Sequence, residues 1–153
     1  MPDDSVKIET ASIEDLDEIV ELIMELIETQ GDFVADRDRQ EAGLRLILES
    51  PNRGRIFVLR NEHQIIGTVN LVFTISTVMG GMVILLEDFI IHPDHRGQGY
   101  GAMMVQHVRK FAKDKKFKRI TLLTDKLSAA SQEFFKTQGF YYSKMIPMRL
   151  VVE

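Results

Sequence analysis

The chain contains no cysteine. That absence excludes a thiol nucleophile, a disulfide framework and any Cys-ligated zinc, and it removes the usual mark of secretion. Long apolar runs are missing as well: no segment approaches the roughly 18 residues of a membrane span. The first residues are acidic and polar, with neither a basic start nor the apolar core of a leader. A cytoplasmic protein that does not enter a membrane is therefore expected. An excess of positive charge is also lacking. With a net charge of −4 and a pI near 5.6, the chain disfavours nucleic acid as a partner and mildly suits a cationic acceptor. Lys113, Lys115, Lys116, Lys118 and Arg119 form one local basic cluster. It reads as a solvated helix end whose cations oppose the C-terminal dipole, with contact to a bound nucleotide as the alternative.

At 153 residues and 44% hydrophobic content, the sequence fits one domain over 1–153 with a sizeable core and little room for a second. Val6 to Glu9 alternates as a short strand. Ser12 then caps a helix whose apolar positions Ile13, Leu16, Ile19, Val20, Ile23, Met24 and Ile27 recur at helical spacing. A second helix through Ala42 to Leu48 ends before Pro51. Arg55 to Arg60 and Gln64 to Thr77 read as a hairpin with a bulge at Gly67. Val83 to Ile91 is a near-continuous apolar run, as in a central strand buried on both faces. Gly99 to Lys115 is a helix, Arg119 to Thr124 a strand, and Ala129 to Gln138 a helix stopped by Gly139. Phe140 to Ser143 and Met148 to Val152 supply the last strands. Antiparallel strands first and a strand, helix, strand unit afterwards predict an α+β fold with a mixed sheet.

The most informative junction is the one where Val83 to Ile91 runs through His92-Pro93-Asp94-His95 into Arg96-Gly97-Gln98-Gly99-Tyr100-Gly101 and a helix. Glycines let a backbone approach a ligand closely, and the opening amides of a helix are unpaired donors at its positive end. An anion belongs there, and Arg96 adds a full charge. The spacing G-x-G-x-G is not the dinucleotide fingerprint G-x-G-x-x-G, and no Gly-Lys-Ser/Thr follows to make a P-loop. A tight turn without a ligand would need one glycine, not three. His92 and His95 have no further ligand cluster beside them, so no metal is expected.

The hexapeptide matches the signature Q/R-x-x-G-x-G/A and, with Phe134-Phe135 and Gly139-Phe140 near the end, resembles the GCN5-related N-acetyltransferase (GNAT) superfamily. The resemblance covers most of the chain. It implies a mixed, mostly antiparallel sheet of about six to seven strands flanked by about four helices, its central parallel strands splayed around acetyl-CoA. It also implies that Arg96 and the amides of Gly97, Gln98, Gly99, Tyr100, Gly101 and Ala102 hold the pyrophosphate. The backbone around Phe89, Ile90 and Ile91 would pair with pantetheine like an added strand and stabilise the oxyanion. Ser128, Ser131, Phe134 and Phe135 would touch the cofactor arm or shield the thioester.

Acetyl transfer to an amine needs a base, an oxyanion donor and a proton for the departing sulfur. Glu87 and Asp88 are the only charges in Val83 to Ile91. Burial would raise either carboxyl toward a useful base range. Adjacent strand residues point to opposite faces, so parity with Phe89 and Ile91 favours Glu87, and a bulge would reverse that argument. A structural hydrogen bond or ion pair is the alternative for each. Many relatives place a tyrosine acid four residues before the Gly-Phe pair, where this chain has Phe135. Tyr142, Tyr141, Ser131 or a water would substitute, or the thiolate leaves unassisted.

The resemblance places the acceptor pocket at the first two helices and their connection, here Glu25, Glu28, Asp32, Phe33, Asp36, Asp38 and Glu41. Their acidity suits an amine, and a solvated loop explains the same charges. The activity implied is acetyl-CoA-dependent N-acetylation of a small primary amine, more than of a protein, by direct attack with no covalent enzyme intermediate. A non-catalytic acyl-CoA sensor is the alternative. Homodimerisation through the last strands is common among such relatives.

Overall fold

The computed structural model describes residues 5–29 and 34–153. The chain forms two compact units, Met1–Leu123 and Thr124–Glu153. Among the described residues no helix is long and apolar enough to cross a membrane.

The first unit opens with β1 (Lys7–Thr10), a 3-10 turn at Ile13–Asp15 and α1 (Leu16–Thr29). The Ser12 amide donates to the Asp15 carboxylate at 3.0 Å, so the turn and the helix start are set by a local reciprocal cap. Helix α2 (Arg37–Leu48) is capped by Asp36, whose side chain accepts from the Arg39 amide, and it stops at Glu49, two residues before Pro51. Strands β2 (Gly54–Arg60), β3 (Ile65–Ser76) and β4 (Gly81–Ile91) form an antiparallel meander. Helix α3 (Tyr100–Asp114) crosses over to β5 (Ile120–Leu122), which pairs parallel to β4. The sheet order is β1-β2-β3-β4-β5.

Helices cover both faces. Leu16, Ile19, Val20 and Ile23 of α1 and Leu44 of α2 pack on Ile56, Val58, Ile65 and Ile90. Tyr100, Met104 and Val108 of α3 pack on the opposite face against Leu59, Val69, Leu71, Ile84, Leu86 and Ile91. β4 therefore contributes to both cores, which is why its sequence is apolar without alternation. A bulge does lie beside Gly67: Leu59 pairs with Gly67 and Arg60 with Ile65, leaving Ile66 extra on β3. A Cβ on Gly67 would come within 2.9 Å of Ile91 Cδ1 and 3.3 Å of the Ile90 carbonyl oxygen, so any other residue there would require the Ile91 side chain and the neighbouring strand to shift.

The second unit holds α4 (Ala129–Thr137), capped by Ser128 and followed by Gly139 at φ +100°. The strands expected at Phe140 to Ser143 and Met148 to Val152 are not formed. Among the described residues the sheet has five strands rather than six or seven. Residues 140–153 carry the apolar composition of strands, but a strand exists only through a ladder partner, and these residues have none among the described ones.

Candidate active site

β4 departs from regular geometry at one place, and it is the place where its charges lie. Thr68 pairs with Ile90 and Asn70 with Glu87, so Asp88 and Phe89 together face the single residue Val69. This is a β-bulge, and Asp88 takes the left-handed backbone conformation, φ +51°, that Asp tolerates better than most residues. The bulge changes the parity read from the sequence. Asn70 pairs in register with Ile56, whose side chain belongs to the core under α1 and α2. Glu87 pairs with Asn70, and the Asn70 Nδ2 donates to Asp88 Oδ2 at 2.6 Å. Both carboxylates thus lie on the α1–α2 face instead of on opposite faces.

Their surroundings differ. Glu87 is exposed, whereas Asp88 is partly buried. Burial first, and then the Glu87 charge, push the Asp88 carboxyl up to about 6 against the pull of the Asn70 hydrogen bond. A carboxyl near 6 is ionised at neutral pH and still basic enough to take a proton. Phe89, Ile90 and Ile91 turn their side chains into the two cores, Ile90 toward α1 and the other two toward α3. Only their main chain is left to meet a ligand. The ladder to β5 ends at Leu86 paired with Leu122, so β4 continues for five residues beyond its parallel neighbour.

After β4 the chain makes a 3-10 turn at Pro93–His95, and the His92 Nδ1 accepts from the Asp94 amide at 3.1 Å. Arg96 folds back and donates from Nε to the Ile91 carbonyl at 2.8 Å, tying the loop to the strand end. Gly97 and Gly99 have φ of +75° and +87°. A Cβ at Gly97 would point into open space, so packing does not dictate the glycine there; the backbone conformation and access to the loop do. Gly97, Gln98 and Gly99 are exposed, while the Tyr100 side chain is buried at 4% under the sheet. Any role of Tyr100 toward a ligand falls to its amide. The helical ladder of α3 begins with the Met103 amide on the Gly99 carbonyl at 3.1 Å. The amides of Tyr100, Gly101 and Ala102 precede it, at the positive end of the helix dipole.

In the second unit, Ser128 Oγ accepts from the Ser131 amide at 3.2 Å and donates to Ser131 Oγ at 3.0 Å. The Phe135 ring packs edge-on against Phe134 at 5.0 Å and Phe140 at 5.7 Å. The Tyr142 hydroxyl donates to Gln132 Oε1, and Lys136 Nζ lies 4.7 Å from its ring centre.

On the acceptor side, Glu25 and Glu28 line a groove along α1 with Glu18, Glu21, Gln64 and His92. Glu18 accepts from the Ile65 amide at 2.9 Å, and Glu21 pairs with Arg37. Asp36 and Glu41 are engaged by Arg39 and Arg45 of their own helix. Asp32 and Phe33 lie outside the described residues. Asn70 escaped sequence reasoning. Its signal was a single amide inside the apolar run Val69-Asn70-Leu71-Val72.

This architecture has known counterparts. A possible acetyltransferase from Clostridium difficile 630 matches with a TM-score of 0.87 at 15% identity, over 98% of this chain and 99% of its own. A predicted acetyltransferase with acetyl-CoA from Clostridium acetobutylicum matches with 0.78 at 17% identity, over 94% and 96%. An aminoglycoside acetyltransferase from an uncultured soil metagenomic sample, in complex with sisomicin, matches with 0.79 at 17% identity, over 97% of each chain. These likenesses concern the fold. No curated protein matches the sequence significantly. The model of the acetyltransferase (GNAT) family, however, matches residues 16–140, and by that match the chain belongs to the GNAT acetyltransferase family.

Proposed function

We propose that the chain is an acetyl-CoA-dependent N-acetyltransferase that acts as one domain on a small primary amine by direct attack. The observation that carries this reading is the bulged β4, which outruns β5 and leads directly into an open, left-handed glycine loop at the start of α3. The residues present fit the cofactor. The open space before Gly97 and the amides ahead of Met103 suit a pyrophosphate, and the end of β4 suits an extended pantetheine arm. The family match crosses from the first unit into the second, which supports one functional domain.

Bound acetyl-CoA supplies an acetyl group activated as a thioester. The protein's part is positional and electrostatic. Amides of Gly97 to Ala102 and the Arg96 guanidinium would hold the phosphates, and main-chain amides near Phe89 and Ile90 would donate to the carbonyl oxygen. Of the two carboxylates, Asp88 is the better base, because its carboxyl is held near 6 while Glu87 stays in solvent. Both lie on the α1–α2 face, and the acidic groove along α1 would attract a cationic amine to that side of the sheet. Glu87 then orients the amine or lifts the Asp88 carboxyl by its charge. Tyr142 is the proton donor for the departing sulfur in this reading.

Thermal unfolding with acetyl-CoA, desulfo-CoA and NADH, followed by a free-thiol release assay across an amine panel, tests the proposal. Stabilisation by both CoA compounds and thiol release with at least one amine are expected. Binding without release by any amine would favour an acyl-CoA sensor.

A further inference from the structure

Among the described residues, one buried side-chain polar atom has no hydrogen-bond partner: Asn70 Oδ1. Asn70 is 3% exposed and uses its Nδ2 on Asp88, leaving its oxygen unmet. An unpaired buried acceptor is destabilising, and replacing both members of a buried polar pair by apolar groups of similar shape is nearly neutral. Stability therefore does not explain the pair. The direction of the bond does. An amide N–H donates to a carboxylate and favours its ionised form, opposing what burial and Glu87 do to the same group. It also anchors the side chain of a residue whose backbone is left-handed within a bulge.

We propose that Asn70 is a positioning residue for acetyl transfer, its amide holding the Asp88 carboxylate in the β4 bulge in the ionised, proton-accepting form. This inference rests on the N-acetyltransferase reading. In the step it serves, the amine lone pair forms the bond to the acetyl carbon and the amine proton passes to an Asp88 carboxylate oxygen. The carbon–sulfur bond breaks with its electron pair on sulfur. Among the described residues the charge acting on Asp88 is that of Glu87. Residues 67–72 of β3 and Ile120–Leu122 of β5 carry no ionisable side chain. Helix α1 turns Ile19, Val20 and Ile23 to the sheet and Glu18, Glu21, Glu25 and Glu28 to the groove. In α2, Leu44 faces the sheet while Arg45 pairs with Glu41.

The test uses the full chain, Asn70→Leu, and the isosteric Asn70→Asp, which keeps the volume should leucine not be accommodated. The acid limb of kcat/KM is recorded with an amine accepted by the wild type. In parallel, the Asp88 carboxyl carbon is titrated by 13C NMR, assigned by its loss in Asp88→Asn. In Asn70→Leu both midpoints are expected to move up together by about one pH unit, so the loss is about tenfold at acid pH and smallest on the alkaline plateau. In Asn70→Asp, a second carboxylate against the first moves both further. An unmoved kinetic limb overturns the proposal, whether the NMR midpoint shifts or not, and a plateau lowered at an unmoved limb marks a merely structural residue. If the wild type transfers acetyl to no amine, the N-acetyltransferase reading itself fails and the catalytic role of Asn70 falls with it, while the NMR titration still reports the pairing.

Discussion

Replacing Asp88 by Asn separates the cost of the site from its use. Asparagine has the same shape, tolerates the left-handed conformation at φ +51°, and can still accept from Asn70 Nδ2, but it cannot ionise. The Asp88 carboxyl is raised from 3.8 to about 6 by burial and by Glu87. That gap is worth about 3 kcal/mol at about 1.4 kcal/mol per pH unit. Because the native state binds this proton more tightly than the unfolded chain, the stabilisation is complete below the unfolded value and is lost as pH rises through about 6. Asp88→Asn has no such dependence. Measured by urea denaturation, its stability relative to the wild type should therefore rise by about 2–2.5 kcal/mol between about pH 4 and pH 8. All other titrating groups are common to both proteins and cancel. At about pH 7 to 8, where the wild-type carboxylate is ionised, loss of a general base should reduce kcat by about 10²- to 10⁴-fold. A stability difference that stays flat across this range would refute the argument that Asp88 is desolvated.

Three further outcomes follow from the loop, the strand contact and the cap. Gly99→Glu puts a side chain at φ +87° and a negative charge at the amides proposed to hold phosphate, so stabilisation by acetyl-CoA in thermal unfolding should disappear while the circular dichroism spectrum is retained. Gly67→Ala forces a Cβ against the Ile90 carbonyl and Ile91 Cδ1 and should cost about 1–3 kcal/mol, visible as a lower Tm. Burial raises the Asp15 carboxyl, but the Ser12 amide and Arg60 at 2.8 Å outweigh it and hold it below 3.8. Its stabilisation is present above the usual carboxylate range and lost as pH falls through the lowered value. Asp15→Asn should cost about 1–2 kcal/mol at pH 7, and the gap to wild type should close in acid, read by urea denaturation.

Local signals carried most of the fold. Helical spacing from Leu16 to Ile27, the Ser12 cap, the stop before Pro51 and the hairpin around Asn61 to Gln64 are all short-range, and the helices and the five strands of the sheet overlap the segments where they were expected, although α2 begins at Arg37 instead of Ala42. Gly97 and Gly99 were legible because only a left-handed backbone and close approach justify so many glycines in one turn. The C-terminal strands were not, because an apolar, β-prone stretch such as Met148 to Val152 becomes a strand only when a partner is available, and that is a tertiary property. Asn70 was missed for a similar reason. Its role depends on Asp88, eighteen residues away across a bulged register, and nothing in its own neighbourhood announces that pairing.

The bulge joins these features. Without the extra residue, strand periodicity would send Glu87 and Asp88 to opposite faces, one into the core under α3 and the other toward α1. With it, both carboxylates lie beside Asn70 on one face, close enough for the charge of one to raise the other's affinity for a proton. The same insertion bends β4 where its ladder with β5 has already ended, which leaves main chain for an extended ligand to pair with. In the proposed reading a single irregularity serves both substrates: it would assemble the proton acceptor on the amine side and leave an open strand edge for the thioester arm. Because that register depends on which residue is extra and not on composition, the apolar run Val83 to Ile91 could reveal the strand while concealing the side from which it works.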